Sequence, residues 1–170
     1  MVISAPSTVM TADQFGDAIA PHLGDGFRLA KVMLGDRQAA EDAVQEAALK
    51  AWRGIRRLRG GHDALRPWFL SIVANECRME RRRRWWSVLR LADPQGATSD
   101  EGESEISDLR AAISALPRDQ QVPLLLFFYL DLSIEEMARV LGVSAAAARS
   151  RLYRAVARLR PLLDPREVLP

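Results

Sequence analysis

The stretch from Ser133 to Arg160 constrains the fold of this chain more than any other. It reads SIEEMARVLGVSAAAARSRLYRAVARLR. Ser133 and Glu136 have the S-x-x-E spacing of a capping box, which begins a helix. Gly142 occupies a position where helices end in a left-handed residue, and Ser144 can cap a second helix. The pattern therefore predicts two helices joined by a tight turn.

The second predicted helix has an apolar side and a side that carries only positive charge. If Ala148 lies at the centre of the buried side, Ser150 and Tyr153 lie opposite it, flanked by Arg149 and Arg154. A helix-turn-helix places such a helix in the major groove of DNA, where arginine reaches phosphates and base edges. The pattern favours a helix that reads duplex DNA. The alternative is a solvated basic helix packed on a helical hairpin.

The composition excludes several classes of protein. A chain of 170 residues with 48% hydrophobic and 27% charged residues is typical of a soluble globular protein with one domain or two small ones. One cysteine and two histidines are too few for an internal disulfide or a zinc site. The longest apolar run, 122–130, is shorter than the roughly 20 residues that a bilayer requires, and 1–10 lacks the features of a secretory signal. We therefore expect a cytoplasmic protein without membrane insertion, metal or cofactor.

An acidic helix front is predicted after Asp36, which can cap a helix that reads RQAAEDAVQEAALKAWRGI. Asp42, Gln45 and Glu46 share one side of its first half, where negative charge suits the helix dipole. This face is either a surface for a basic partner or a device for helix stability and solubility. The residues alone leave both readings open.

A basic and aromatic helix is predicted to start near Arg66–Pro67. It carries Trp68 and Asn75, then four consecutive arginines at 81–84, then two tryptophans. Arginines that meet phosphates and rings that stack on bases suit a single nucleic-acid strand, whereas a solvated helix end is the alternative. The candidate core residues of this helix are Phe69, Ile72, Val73, Cys77 and Met79.

Prolines and one polar segment divide the chain. Pro21 is predicted to end one helix and begin the next, and Pro123 to loosen the early turns of another. Residues 93–108 read DPQGATSDEGESEISD, a composition typical of a disordered linker. No stretch alternates as a strand does. We therefore predict an all-α protein with one helical domain over 11–90, a flexible acidic linker over 91–106 and a helix-turn-helix domain over 107–162.

Three motifs in series carry a resemblance to a known family. They are LGDRQAAEDAVQEAALKAWR at 34–53, RPWFLSIVANECRMERRRR at 66–84, and the segment 113–160 that contains ISALP, LDLS, LGVS and SRL. Together they resemble a bacterial sigma factor of the small, two-domain extracytoplasmic-function (ECF) group, over residues 11–160. A helix-turn-helix alone is shared by many regulators, but the three motifs in this order are specific.

The resemblance implies a protein that binds core RNA polymerase, directs promoter recognition and DNA melting, and catalyses nothing itself. The implied partners are the clamp helices of the polymerase largest subunit, the polymerase flap, promoter DNA and, as is usual in the family, an anti-sigma factor. The implied core-polymerase-binding residues are Asp42, Gln45 and Glu46. The implied contacts with the minus-ten element are Trp68, Asn75, Arg78, Arg81, Arg82, Arg83 and Arg84. The implied contacts with the minus-thirty-five element are Ser144, Arg149, Ser150, Tyr153 and Arg154.

The sequence departs from the family pattern in two places. The predicted recognition helix has alanines at 146–148 where Gly, Thr and Val are usual. Without Thr at Ala147, one phosphate or base contact that the resemblance implies is lost, so the family's promoter preference does not carry over to this chain. Phe127 and Phe128 stand near a position that is often Arg, so that surface either loses a backbone contact or binds a partner.

Three rival readings have different consequences. A helix-turn-helix regulator of the response-regulator type shares only 133–160 and binds DNA without core polymerase. A helical enzyme lacks support, because the sequence has no glycine-rich phosphate loop, nucleophile–base pair or metal cluster. An adaptor binds polymerase or an inhibitor only. Promoter-specific transcription by core polymerase plus this chain separates all of them.

Overall fold

The computed structural model describes residues 10–58, 61–90 and 112–160, and within these ranges it contains helices and turns without strands. The first group of helices is α1 (Ala12–Leu34), α2 (Arg37–Gly54) and α3 (Leu65–Arg90), with 3-10 turns at Ile55–Arg57 and His62–Ala64 between the last two. The second group is a short helical segment at 112–115, α4 (Arg118–Leu124), which continues as a π-helical turn (Leu125–Tyr129), α5 (Ile134–Leu141) and α6 (Ala145–Leu159). The all-α prediction is confirmed, whereas the predicted linker lies outside the described residues.

Local capping signals predicted several helix ends correctly. Ser133 and Glu136 form the expected capping box, with the Ser133 N–H donating to Glu136 Oε2 at 2.9 Å and the Glu136 N–H to Ser133 Oγ at 3.2 Å. Asp36 Oδ1 accepts from the Ala39 N–H at 2.7 Å at the start of α2. Gly142 ends α5 with a φ of 67°, in the left-handed region that favours glycine.

The predicted helix break at Pro21 is wrong, because α1 continues through this residue. Proline in a helix interior removes one hydrogen bond and crowds the preceding turn. Here Pro21 is exposed, while the buried residues Phe15, Ile19 and Leu29 form one stripe on both sides of it. Packing of that stripe on α2 and α3 offsets the local cost, so a single helix forms.

The core of the first group lies between α1, α2 and α3. Leu29, Ala47, Phe69 and Val73 are fully buried there, and Gly26 lets α1 approach α3 closely. Cys77 is buried as predicted. The prediction that Met79 is a core residue is wrong, because its side chain is 50% exposed. Met79 follows Cys77 by two residues, so its side chain is rotated by about 200° around the helix and faces outward.

The second group buries Leu126, Leu130, Met137 and Val140 against the apolar side of α6. The helix that contains Pro123 stays α-helical through that residue and widens to a π turn from Leu125, so the irregularity follows the proline rather than preceding it. The two groups also pack on each other, α3 against α5 and α1 against α4. None of the helices within the described ranges combines the length and the apolar character needed to cross a bilayer.

Candidate polymerase-binding and promoter-binding surfaces

The acidic face of α2 is exposed and continuous. Asp42, Gln45 and Glu46 all lie on the surface, while the neighbouring Ala43 and Ala47 are buried. With about 100° between successive residues, the three polar side chains fall within a third of the helix circumference. Gln38 lies one turn earlier and donates from Nε2 to Asp42 Oδ1 at 3.1 Å. The structure therefore brings the predicted polymerase-binding residues together on one side.

An apolar cleft adjoins this acidic face, and sequence reasoning missed it. The cleft has a volume of about 460 Å³ and lies between the start of α1 and the middle of α2. Leu49 is 49% exposed at its edge, and Trp52 packs on Phe15 with ring centroids 5.3 Å apart. Trp52 is 36% exposed. The sequence contained one sign of this cleft, because Leu49 is an apolar residue that lies outside the buried side of α2. The lining residues are Ala12, Phe15, Gln45, Ala48, Leu49 and Trp52.

The predicted minus-ten residues of α3 fall into two environments. Trp68 and Asn75 lie seven residues apart and so on the same side of the helix. Trp68 is partly buried beside Gly54, and Asn75 is exposed. The arginines at 81–84 are exposed, whereas the side chains of the two tryptophans that follow lie outside the described part of the chain.

Asn75 lines a polar cleft together with a partly buried ion pair. The Lys50 Nζ lies 2.6 Å from Glu76 Oε2, and only 9% of the Glu76 side chain is exposed. This contact joins α2 to the residue of α3 that follows Asn75. Nothing in the sequence pattern pointed to a partner for Glu76 on α2. The residues around the cleft, which has a volume of about 450 Å³, are Lys50, Ser71, Ile72, Asn75, Glu76 and Arg78.

Acidic neighbours hold two of the four consecutive arginines. Glu80 lies 2.6 Å from Arg83 and 3.1 Å from Arg84, and Arg84 also reaches Asp36 at 3.5 Å. The Ala39 N–H, and then the charge of Arg84, lower the pKa of Asp36. Arg81 and Arg82 are exposed on the same helix. These two therefore present their charge to solvent most directly.

Arg78 differs from the other predicted minus-ten residues because it contacts the second helical group. It donates from Nη1 to the carbonyl oxygens of Val140 and Leu141, each at 3.4 Å. The side chain is partly buried, and this burial lowers the pKa of the guanidinium. In this arrangement its donors point at the end of α5.

Four of the five predicted minus-thirty-five residues share the exposed side of α6. Tyr153 is 67% exposed, and Arg149, Ser150 and Arg154 are exposed beside it. The buried side of the helix is formed by Ala148, Leu152, Ala155 and Leu159. Ser144 caps the helix by accepting from the Ala147 N–H at 3.2 Å, and it is exposed at the end where anions bind most readily. The four predicted residues within α6 thus share one exposed side of the helix, and Ser144 lies at its N-terminal end.

Comparison with known proteins gives both groups a family. Residues 18–87 match the model for Sigma-70 region 2, and residues 106–159 match the model for Sigma-70 region 4. The chain is 31% identical over 134 residues to the ECF RNA polymerase sigma factor EcfG of Rhodopseudomonas palustris, which covers 76% of this chain and 74% of EcfG. It is 33% identical over 145 residues to the probable RNA polymerase sigma factor RfaY of Xanthomonas campestris, which covers 78% of this chain and 36% of RfaY, a longer protein.

A solved structure shares the fold. The sigma factor RpoE of Bartonella quintana, in complex with the anti-sigma factor NepR, superposes with a TM-score of 0.75 at 24% identity, covering 89% of this chain and 97% of that one. The two matched regions together span most of the described helices. The chain therefore belongs to the ECF family of RNA polymerase sigma factors, proteins that bind RNA polymerase and recognise promoters.

Proposed function

We propose that this sigma factor divides its work between three exposed helical surfaces. The acidic face of α2 binds core RNA polymerase, α3 holds the unpaired minus-ten strand, and α6 reads the minus-thirty-five duplex. The observation that carries the proposal is geometric: the predicted residues of α2 and of α6 each lie on one exposed face of one helix. In the α3 set, Arg78 is the residue that donates to the second helical group.

The polymerase-binding surface combines charge with apolar anchors. Asp42 and Glu46 supply negative charge that suits a basic helix of the polymerase clamp, and such charge mainly sets orientation and association rate. Leu49 and Trp52 lie next to Gln45 in the apolar cleft and can bury against the same partner. Buried aromatic and aliphatic anchors carry most of the free energy in such interfaces. We therefore place the centre of the interface at the cleft and its polar rim at the carboxylates.

The proposed strand-binding surface runs along α3. Trp68 and Asn75 are two helical turns apart, about 10 Å, so a strand that follows the helix meets both. The Asn75 amide offers a donor and an acceptor to a base edge, and Arg81 and Arg82 offer charge to phosphates. The Lys50–Glu76 ion pair ties α3 to α2 at the residue next to Asn75. This support keeps the proposed base contact in a defined position.

The proposed duplex-binding surface is the exposed side of α6. Alanines at its start let the helix approach the groove, while Arg149 and Arg154 reach phosphates or bases on either side of Tyr153. The polymerase flap is a further partner that we propose for the second helical group, on the family resemblance. An anti-sigma factor is another, supported by the Bartonella quintana sigma factor whose structure is a complex with one.

Reconstituted transcription tests the function. Core polymerase plus the full chain should start transcription at defined positions in a promoter library, and core polymerase alone should not. The triple change Asp42→Ala, Gln45→Ala and Glu46→Ala should abolish co-purification with core polymerase, because it removes both charges and the amide at the cleft. A matched pair of exposed acids elsewhere, Asp17→Ala with Glu135→Ala, should retain binding. Full binding by the triple variant would remove α2 from the proposal.

A further inference from the structure

Two arginines connect the helical groups in a reciprocal way. Arg78 of α3 donates to the carbonyl oxygens of Val140 and Leu141, where α5 ends. Arg118, the first residue of α4, donates from Nη1 to the carbonyl oxygen of Leu34 at 3.1 Å, where α1 ends. Each group thus supplies a guanidinium to the carbonyl end of a helix in the other group.

Both helix ends are built to receive an arginine. The last carbonyls of a helix lack partners within it and carry the negative end of the helix dipole, which a cation stabilises. Gly35 and Gly142 end these helices with φ values of 76° and 67°. A Cβ atom on Gly35 would overlap the Arg118 guanidinium, and one on Gly142 would lie 3.7 Å from Arg78 Nη2. Both glycines therefore set the end of the helix, and Gly35 also leaves space for the Arg118 guanidinium, whereas a Cβ on Gly142 would make only an ordinary contact with Arg78.

Apolar and aromatic contacts support the same arrangement. One continuous buried cluster includes residues of both groups, among them Cys77 of α3 and Val140 of α5, each fully buried. The Arg28 guanidinium of α1 lies 5.3 Å from the centre of the Tyr129 ring, within the range of a cation–π contact. The two arginine contacts are thus part of a packed interface between the groups.

We propose that Arg78 and Arg118 form an autoinhibitory clasp, which holds the free sigma factor closed and keeps Arg78 from the minus-ten strand. The inference rests on the proposed role of α3 as the strand-binding surface. While Arg78 donates to α5, the same donors cannot contact a phosphate. The acidic face of α2 and the DNA-binding face of α6 remain exposed in this closed form.

Distance gives a second reason why the closed form cannot engage a promoter. The two promoter elements lie about 25 base pairs apart, which is about 85 Å along B-form DNA. A compact chain of this length is about 40 Å across. Because α6 follows α5 after a short turn, the contact between α3 and α5 keeps the two DNA-binding helices too close together. A core polymerase that positions each group at its own promoter element binds the open form better and so shifts the equilibrium toward it.

Energy transfer between two dyes measures the closed form directly. Ala20 on α1 and Ala157 on α6 are exposed and can be changed to cysteine for labelling. Cys77 stays unlabelled because it is fully buried and burial raises its pKa to about 12. The free labelled chain should show high transfer, and Arg118→Ala or core polymerase should lower it. Arg139→Ala removes an exposed positive charge from the same group and should leave transfer unchanged.

Binding of single-stranded DNA tests the inhibition separately. The probe is a mixed-sequence oligonucleotide of about 12 nucleotides. Arg118→Ala should bind it several-fold more tightly than the wild type, because a larger fraction of molecules is open. In an Arg78→Ala background the same change should give no gain, since the residue that the clasp hides is gone.

The outcomes separate the clasp from the proposed function. High transfer that Arg118→Ala leaves unchanged would overturn the clasp, as would a gain in DNA binding that persists without Arg78. Circular dichroism of each variant shows whether its helices remain folded, and Arg118→Lys, which keeps a donor, should restore part of the transfer. Failure of the wild type to direct transcription with core polymerase would refute the proposed function, while the transfer measurement would still report the closed form.

Discussion

The close approach of α1 and α3 at Gly26 leads to a prediction whose sign depends on two opposing effects. An alanine in a helix interior is about 0.5–1 kcal/mol more favourable than a glycine, because glycine loses more backbone entropy on folding. A Cβ atom at Gly26, however, would lie 2.9 Å from Phe69 Cε1 and 3.3 Å from Val73 Cγ2. Phe69 and Val73 are both fully buried, so neither can move into solvent. Overpacking of this kind costs about 1–3 kcal/mol.

The chain offers a matched control on the same helix. Gly16 is exposed, and a Cβ atom there would meet nothing within 4 Å. Gly16→Ala should therefore stabilise the fold by about 0.5–1 kcal/mol, the helix-propensity gain alone. Gly26→Ala should destabilise it by about 1 kcal/mol, the overpacking cost less the same gain. The difference between the two variants isolates the overpacking cost, because the propensity gain cancels.

Urea unfolding followed by circular dichroism measures both changes. Each variant should shift the midpoint without changing the slope, since neither alters the surface exposed on unfolding. The Gly26→Ala midpoint should fall below that of the wild type and the Gly16→Ala midpoint should rise above it. Equal stabilisation by both would show that α1 and α3 do not pack as closely as the structure has them. This packing matters for the proposed function because Phe69 and Val73 are buried residues of the helix that carries Asn75.

Three further predictions concern separate residues. If the Arg154 guanidinium contacts a base, Arg154→Ala should weaken binding of the complex of sigma factor and core polymerase to promoter duplex by about 1–3 kcal/mol. A gel-shift titration with Arg139→Ala as control measures this change, and unchanged affinity would exclude the contact. Lys50→Ala should lower the free energy of unfolding by about 1–3 kcal/mol, because it leaves the buried Glu76 carboxylate without its partner. The cost stays in this range because Lys50 itself is 41% exposed. An unchanged midpoint in urea titration would show that the pair is not formed. Cys77 should resist iodoacetamide at pH 8 in the folded chain, because the buried thiol with a pKa of about 12 stays protonated, and should react once urea unfolds the protein; rapid labelling of the native chain would contradict its burial.

Sequence reasoning succeeded where a feature depends on residues close together in the chain. Ser133 with Glu136 and Asp36 with Ala39 are spaced by three residues, so the cap and its partner are both visible in the sequence. The faces of α2 and α6 followed from helical periodicity for the same reason. Pro21 shows the limit, because its local preference to end a helix was overridden by burial of residues on both sides of it.

Contacts between distant parts of the chain could not be predicted. Lys50 and Glu76 are 26 residues apart, and Arg78 and Val140 are 62 apart. A lysine on one helix and a glutamate on another pair only when packing brings those two faces together, and no periodicity encodes that choice. The exposed apolar cleft at Leu49 and Trp52 was missed for a related reason: the pattern marks an apolar residue, but only the fold decides whether a neighbour covers it.

The alanines at the start of α6 affect which of the proposed DNA contacts can distinguish one base sequence from another. Side chains at 146–148 offer no hydrogen bond to a base, so the duplex contact depends on Arg149 and Arg154 together with the helix N-terminus. Phosphate contacts of this kind give affinity and position but little sequence information, and their free energy falls as salt rises. Sequence choice then shifts toward the unpaired strand at Asn75. A clasp that occupies Arg78, three residues away on the same helix, would therefore act on the step that selects the promoter rather than on the step that first holds the DNA.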